Sequence, residues 1–225
     1  MTSTATSTPT PPWAYYAFMF MGVVGVGRVF RVRLILASAS PRRAELLRGA
    51  GYAFETMVVD VDETARPGEA PGAYVRRLAA DKSAAAASVV AAGRQGSAAA
   101  PIILGADTTV VVGGEMLGKP RDDDDSVTML RRLSGRRHEV LTGVSLRQGA
   151  REVGRVEATI VELATLTADD VAWYVASGEG RDKAGAYGIQ GLASRFVRRI
   201  EGSYSNVVGL PVACVHELIA GWPAV

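Results

Sequence analysis

The stretch IILGADTTVVVGGEMLGKPRDDD, from Ile102 to Asp124, limits the fold more than any other part of the chain. Ile102 to Ala106 reads as a buried strand, and Val110 to Val112 with Glu115 to Leu117 reads as a hairpin closed at Gly113-Gly114. On this reading Asp107 stands at the end of an apolar strand, behind the small residues Gly105 and Ala106. An open α/β sheet usually keeps its ligand at such a place. Acids also end strands simply because they favour turns. Asp107 therefore becomes a catalytic candidate only in company with chemistry from elsewhere in the chain.

A chain of 225 residues is long enough to bury a sizeable core. Its 25 basic and 23 acidic residues leave no polybasic surface, which argues against nucleic acid as a partner but not against a small anion held by a few local cations. The single cysteine, Cys214, lies in the apolar run PVACVHELI, where it packs as a small core residue; it fits a reducing, cytoplasmic setting. His138 and His216 are far apart and share no motif, and there is neither a G-x-S-x-G elbow nor a P-loop.

The first 32 residues differ from the rest. Ser, Thr and Pro dominate up to Pro12, and an uncharged apolar run follows from Trp13 to Gly27. A membrane span needs roughly 20 apolar residues, so this run is marginal, and no positive charge precedes it as a signal peptide would require. We expect residues 1–32 to be an extension, disordered or arising from a misplaced start site with Val32 as an internally read GTG codon. No membrane association is expected, and the working domain spans residues 33–225. N-terminal sequencing of the native protein that recovered Met1 would reject the misplaced start.

From Arg33 the pattern is regular. LILA is a short strand, Ser38 to Pro41 a turn, and RRAELLRGAGY a helix ended by Gly49 or Gly51, with Ser40 as its cap and Pro41 at its first position. Arg42 and Arg43 stand on the first turn, where cations oppose the helix dipole. A bound anion would account for them, as would plain solvation. Phe54 to Val58 reads as a second strand, followed by acids at Asp60, Asp62 and Glu63 that suit either a metal or an ordinary surface loop. Pro71 opens an alanine-rich helix carrying Lys82. Asp122 to Asp125 point round a helix axis and so cap a helix rather than converge on a metal.

His138 to Leu146 and Glu152 to Leu166 read as a hairpin around Gln148-Gly149, and Thr167 to Asp170 cap a helix ending at Gly178. Asp182 to Pro211 is glycine-rich, contains Lys183 and Gln190, and includes a strand from Phe196 to Ile200; such a loop lets backbone approach a ligand closely.

The segments LASASPRRAELL, AADKS, GADTTV, GKPRD, LSGRRHEVLTGV and DKAGAYGIQGLASRFVRRIEGSYSNVVGLP follow one another as they do in the Maf family of nucleoside triphosphate pyrophosphatases, and the chain resembles that family from Arg33 to Trp222. The resemblance implies an α/β fold, an elongated, mixed, twisted sheet with flanking helices and two lobes around a central cleft. It implies hydrolysis of a nucleoside triphosphate to the monophosphate and pyrophosphate with a divalent metal, Mg²⁺ or Mn²⁺, as cofactor. By position Asp107 matches the general base. Arg42, Thr108 and Gln190 match the base-selecting residues of the branch acting on dTTP and UTP, which points to a role in cleaning the nucleotide pool. Lys82 and Lys119 match the phosphate-binding lysines and Ser38 the loop serine, while Thr109 replaces a commoner aliphatic residue. Asp62 and Glu63 are the candidates for holding the metal, and homodimerisation is compatible with the resemblance. The alternatives are the 7-methyl-GTP branch, which carries other residues at positions 42, 108 and 190, and a non-catalytic regulator of septum formation.

The chemistry of these residue types agrees. A triphosphate carries about four negative charges, so Arg42, Lys82, Lys119 and Lys183 suit its binding and transition state. A free aspartate, with a pKa of about 3.9, is a weak base, which is where a metal that acidifies water helps. The Gln190 amide offers one donor group and one acceptor, matching the N3–H and O4 edge of uracil or thymine.

Overall fold

The computed structural model describes residues 33–93 and 100–222; the expectations for residues 1–32 lie outside them. Among the described residues, short apolar runs assemble into one mixed, seven-stranded open sheet, with β1 (Leu34–Ala37), β2 (Glu55–Met57), β3 (Ile102–Val112), β4 (Glu115–Leu117), β5 (Arg137–Gln148), β6 (Arg151–Leu163) and β7 (Val197–Glu201). The order is β2-β1-β3-β5-β6-β7, with β4 also on β3. β1 pairs in parallel with β2 and β3, while the remaining pairings are antiparallel. The helices are α1 (Pro41–Gly49), α2 (Pro71–Ala92), α3 (Asp123–Leu133), α4 (Ala168–Ala176), α5 (Tyr204–Val208) and α6 (Val212–Ala220). No helix among the described residues is long and apolar enough to cross a membrane.

Local cap chemistry sets the helix starts. Ser40, Asp122 and Thr167 each accept a backbone N–H from three residues on, and Thr167 forms a full capping box with Asp170. The acids at 122–125 therefore begin α3, as expected. Strand bounds differ more. β3 does not stop at Ala106 but runs eleven residues to Val112, so Asp107 lies at its middle and not at its end. The reason is β5, which pairs with β3 from Ile103 to Val111 and carries the strand through the small residues.

The opposite edge of β3 is a different matter. β1 pairs with it only as far as Gly105, and β4 joins only at Val110. Residues 106–109 thus present an open notch in the sheet, bracketed by the ends of two shorter strands.

Alternation along β3 sends its residues to two faces. Ile103 and Val111 pack under α2 with Ala86 and Val75. On the other face the core divides. Leu104 and Ala106 join Leu47 of α1 and Val215 of α6, while Val110 and Val112 join Leu130 of α3 and Tyr174 of α4. Between these apolar clusters lies a polar waist, where Thr108 and Thr142 share a 3.0 Å hydroxyl hydrogen bond and Thr142 donates to the Asn206 carbonyl at 3.2 Å. The two clusters are the cores of two lobes.

α2 lies unusually close to the sheet. A Cβ at Gly105 would fall 2.2 Å from the Ala79 carbonyl oxygen, and one at Gly143 would fall 2.1 Å from that of Val75. Ser83 of α2 and Ser145 of β5 share a 2.8 Å hydrogen bond in the same interface. Because the clash at Gly143 is with backbone, Gly143→Ala is expected to destabilise the protein by about 3 kcal/mol, lowering Tm by about 6–12 °C. A calorimetric Tm within about 2 °C of wild type would contradict this packing.

His138 is buried at 3% exposure, bonds through Nε2 to the Tyr187 hydroxyl at 2.8 Å, and has no partner at Nδ1. Burial pushes its pKa down to about 4, against about 6.5 when unfolded. Between those values the unfolded chain binds the extra proton, so stability is intact above pH ~6.5 and falls as the pH drops toward 4, by up to about 3 kcal/mol. Urea unfolding at pH 7 and pH 4.5 should show a loss that is smaller in His138→Asn; equal losses in both proteins would exclude His138 as its source.

Candidate active site

The notch in β3 opens into a cavity of about 730 Å³, walled by the β1–α1 loop, the unpaired edge of β3, Gly118 and Lys119 beyond β4, and the glycine-rich segment after α4. Ser38, Arg42, Lys82, Asp107, Thr108, Lys119 and Gln190 all line it, together with Glu63. Residues from six separate segments of chain meet here. Asp62 is not among them; it accepts the Thr64 N–H at 2.9 Å in a neighbouring surface depression.

Asp107 and Thr108 occupy opposite faces of β3, and the missing strand neighbour lets the cavity reach both. On the α2 face, the close approach at Gly105 and Gly143 brings Lys82 to the carboxylate. Its Nζ lies 2.7 Å from Asp107 Oδ1 and 2.6 Å from Glu63 Oε1. The Lys82 and Asp107 side chains are each only 11% exposed, so this ion pair is shielded from solvent, whereas Glu63 remains half open to it. Burial raises the Glu63 pKa, but the Lys82 hydrogen bond and charge outweigh it and hold the carboxyl below its ordinary range. Tyr74 donates to the Glu63 carbonyl at 2.9 Å, and burial with the nearby Asp107 and Glu63 charges pushes its pKa up to about 12.

On the other face Arg43 spans the cleft. Its guanidinium donates to the Gly209 carbonyl at 2.7 Å, Thr108 Oγ1 at 3.0 Å and Ser38 Oγ at 3.3 Å. Burial lowers its pKa, with the Asp107 charge opposing the shift. The first-turn arginines thus serve different ends. Arg43 points inward and ties α1, β3 and the segment after α5 together, while Arg42 bonds Asp182 at 2.8 Å across the cavity mouth. Burial raises the Asp182 pKa, but hydrogen bonds from Lys183 and Arg42 prevail and bring it to about 2. Lys183 is correspondingly engaged: its ammonium donates to Asp182 at 2.6 Å and to the Glu179 carbonyl, so it braces the loop.

The sequence marked Arg42 and Arg43 only as a pair and gave no sign of Tyr74, Glu179 or Asp182. For Arg43 a signal existed, since an arginine at a capped helix start opposes the dipole, but nothing in the sequence told it from Arg42. The other three depend on long-range packing.

Among the described residues no three His, Cys, Asp or Glu side chains cluster as a metal cage. Glu63 and Asp107 nevertheless converge on one cation, the Lys82 ammonium. Two carboxylates on a wall that also admits an anionic ligand suit Mg²⁺ or Mn²⁺, which commonly take one or two protein carboxylates and complete their shell with phosphate oxygens and water.

The family model described as Maf-like protein matches residues 33–222. A dTTP/UTP pyrophosphatase of Anaeromyxobacter dehalogenans is 49% identical over 197 residues, covering 85% of this chain and 95% of its own length. One from Hahella chejuensis is 50% identical over 188 residues, covering 83% and 90%. One from Escherichia coli O157:H7 is 46% identical over 191 residues, covering 85% and 93%.

Proposed function

The chain belongs to the Maf family, and from that premise we infer that it is a nucleoside triphosphate pyrophosphatase that hydrolyses dTTP and UTP to the monophosphate and pyrophosphate in the cytoplasm, clearing such nucleotides, normal or modified, from the pool. The observation that carries this reading is the meeting of Asp107, Lys82, Lys119, Arg42 and Gln190 in one cavity. Residues 33–225 form the catalytic domain.

In the proposed mechanism the triphosphate lies along the β1–α1 loop. Ser38 and the first turn of α1 face its oxygens, and Lys82 and Lys119 offset its charge. Asp107 takes a proton from water as the water oxygen bonds to the α-phosphorus. The bond from that phosphorus to the bridging oxygen of the β-phosphoryl group breaks, and pyrophosphate leaves. Lys82 aims Asp107, because its ammonium sits on Oδ1 and leaves Oδ2 for the proton. Glu63 and Asp107 would hold a divalent ion, which when bound supplies positive charge against the phosphate oxygens and makes nearby water more acidic.

Incubation with UTP, dTTP, CTP and 7-methyl-GTP, with Mg²⁺ or Mn²⁺, tests the reading by its products. Monophosphate and pyrophosphate from UTP and dTTP are expected. Release of orthophosphate, or a preference for 7-methyl-GTP, would overturn it.

A further inference from the structure

Gln190 is exposed, so its placement depends on the backbone that carries it. That backbone is held on both sides by one pair of side chains. Two residues before Gln190, the Gly188 N–H donates to the Tyr174 hydroxyl at 3.1 Å. Two residues after it, the Leu192 N–H donates to Glu179 Oε2 at 2.7 Å, and the Ala193 N–H donates to Oε1 at 3.3 Å. Tyr174 itself donates to Glu179 Oε1 at 2.9 Å and is 1% exposed in the core of its lobe.

The fit excludes slack. A Cβ at Gly191 would lie 2.1 Å from Glu179 Oε2, and one at Gly188 would lie 2.7 Å from Cε of Lys183, whose ammonium is fixed on the Glu179 carbonyl. A carboxylate that only capped the short 3-10 turn at Leu192–Phe196 would have no need to reach the far side of Gln190. Here it does so through Tyr174.

We propose that Glu179, acting with Tyr174, is a positioning residue for base selection: it clamps residues 188–192 so that the Gln190 amide meets the pyrimidine edge in one fixed place. This rests on Gln190 being the base selector. Uracil presents an N3–H donor and an O4 acceptor, whereas cytosine presents an N3 acceptor and an N4 donor, so an amide free to shift or turn accepts either. Glutamine at position 179 cannot replace the carboxylate. It has one acceptor oxygen for three donors, and its NH₂ would face an N–H.

The test is the ratio of kcat/KM for UTP over CTP, measured on the full chain with Mg²⁺ for wild type, Gln190→Ala, Glu179→Gln and Tyr174→Phe. Glu179→Gln is expected to narrow the ratio about tenfold or more, the scale of one charge-assisted hydrogen bond, and Tyr174→Phe to narrow it in the same direction. A variant that merely lost folded protein would lower both substrates in proportion and leave the ratio untouched. An unchanged ratio in Glu179→Gln overturns the proposal, as does an unchanged ratio in Tyr174→Phe should the first variant not fold. Equal ratios in wild type and Gln190→Ala would show instead that the selector assignment had failed, and the clamp's role with it.

Discussion

Asp107→Asn is expected to lower kcat for pyrophosphate release from UTP by about 10²- to 10⁴-fold, the range spanned by loss of a general base. Asparagine keeps the size and one oxygen for Lys82 but cannot take the proton from water. Lys82 retains Glu63 at 2.6 Å, so the substitution does not strand a charge in the cavity wall, and folding should survive. KM should stay level or fall, since the variant carries one less negative charge beside a triphosphate. Loss confined to kcat marks a group that acts in the transition state. A variant retaining more than about a tenth of wild-type kcat would remove Asp107 from the chemistry.

UTP should be preferred over CTP by about 10⁴-fold in kcat/KM, and over dTTP by far less, because a hydrogen-bonding mismatch is rejected much more strongly than a methyl group, worth about 10- to 200-fold. Within the cavity the amide of Gln190 is the candidate for reading the base edge. Thr108 serves differently: its hydroxyl is committed to Arg43 and Thr142, so it shapes the wall and holds Arg43. Gln190→Ala should therefore bring UTP and CTP close together, chiefly through loss of UTP turnover. Comparable kcat/KM for UTP and CTP in the wild-type protein would exclude Gln190 as selector.

Much of the fold was legible where the determinants are local. The caps at Ser40, Asp122 and Thr167 announce their helices because a side chain three residues from its N–H partner needs nothing distant. The end of β3 was not legible. Gly105-Ala106-Asp107 looks like a strand terminus, yet Gly105 is small because α2 crosses it, and the strand continues because β5 is its partner. Asp107 is accessible through a neighbour missing on one edge, a property of register that no local pattern encodes.

The site divides in the same way. Asp107 and Arg42 stood out from local pattern, and Ser38, Lys82, Thr108, Lys119 and Gln190 from motif resemblance; all line the cavity. Their wiring did not stand out. That Lys82 bridges Glu63 and Asp107, that Arg43 turns inward while Arg42 turns to Asp182, and that Lys183 braces a loop are outcomes of helix phase and lobe packing. Alanine-rich α2 shows the cause: its composition promises a helix, but only the glycines of β3 and β5 decide how near it comes and therefore where Lys82 ends.

A crystal structure of Asp107→Asn soaked with UTP and Mg²⁺ tests the shared cavity most directly. The uracil edge is expected against Gln190, the phosphates along Ser38, Lys82 and Lys119, and the α-phosphorus facing position 107. UTP bound elsewhere, or with its base against the β1–α1 loop and its phosphates at Gln190, would contradict this placement.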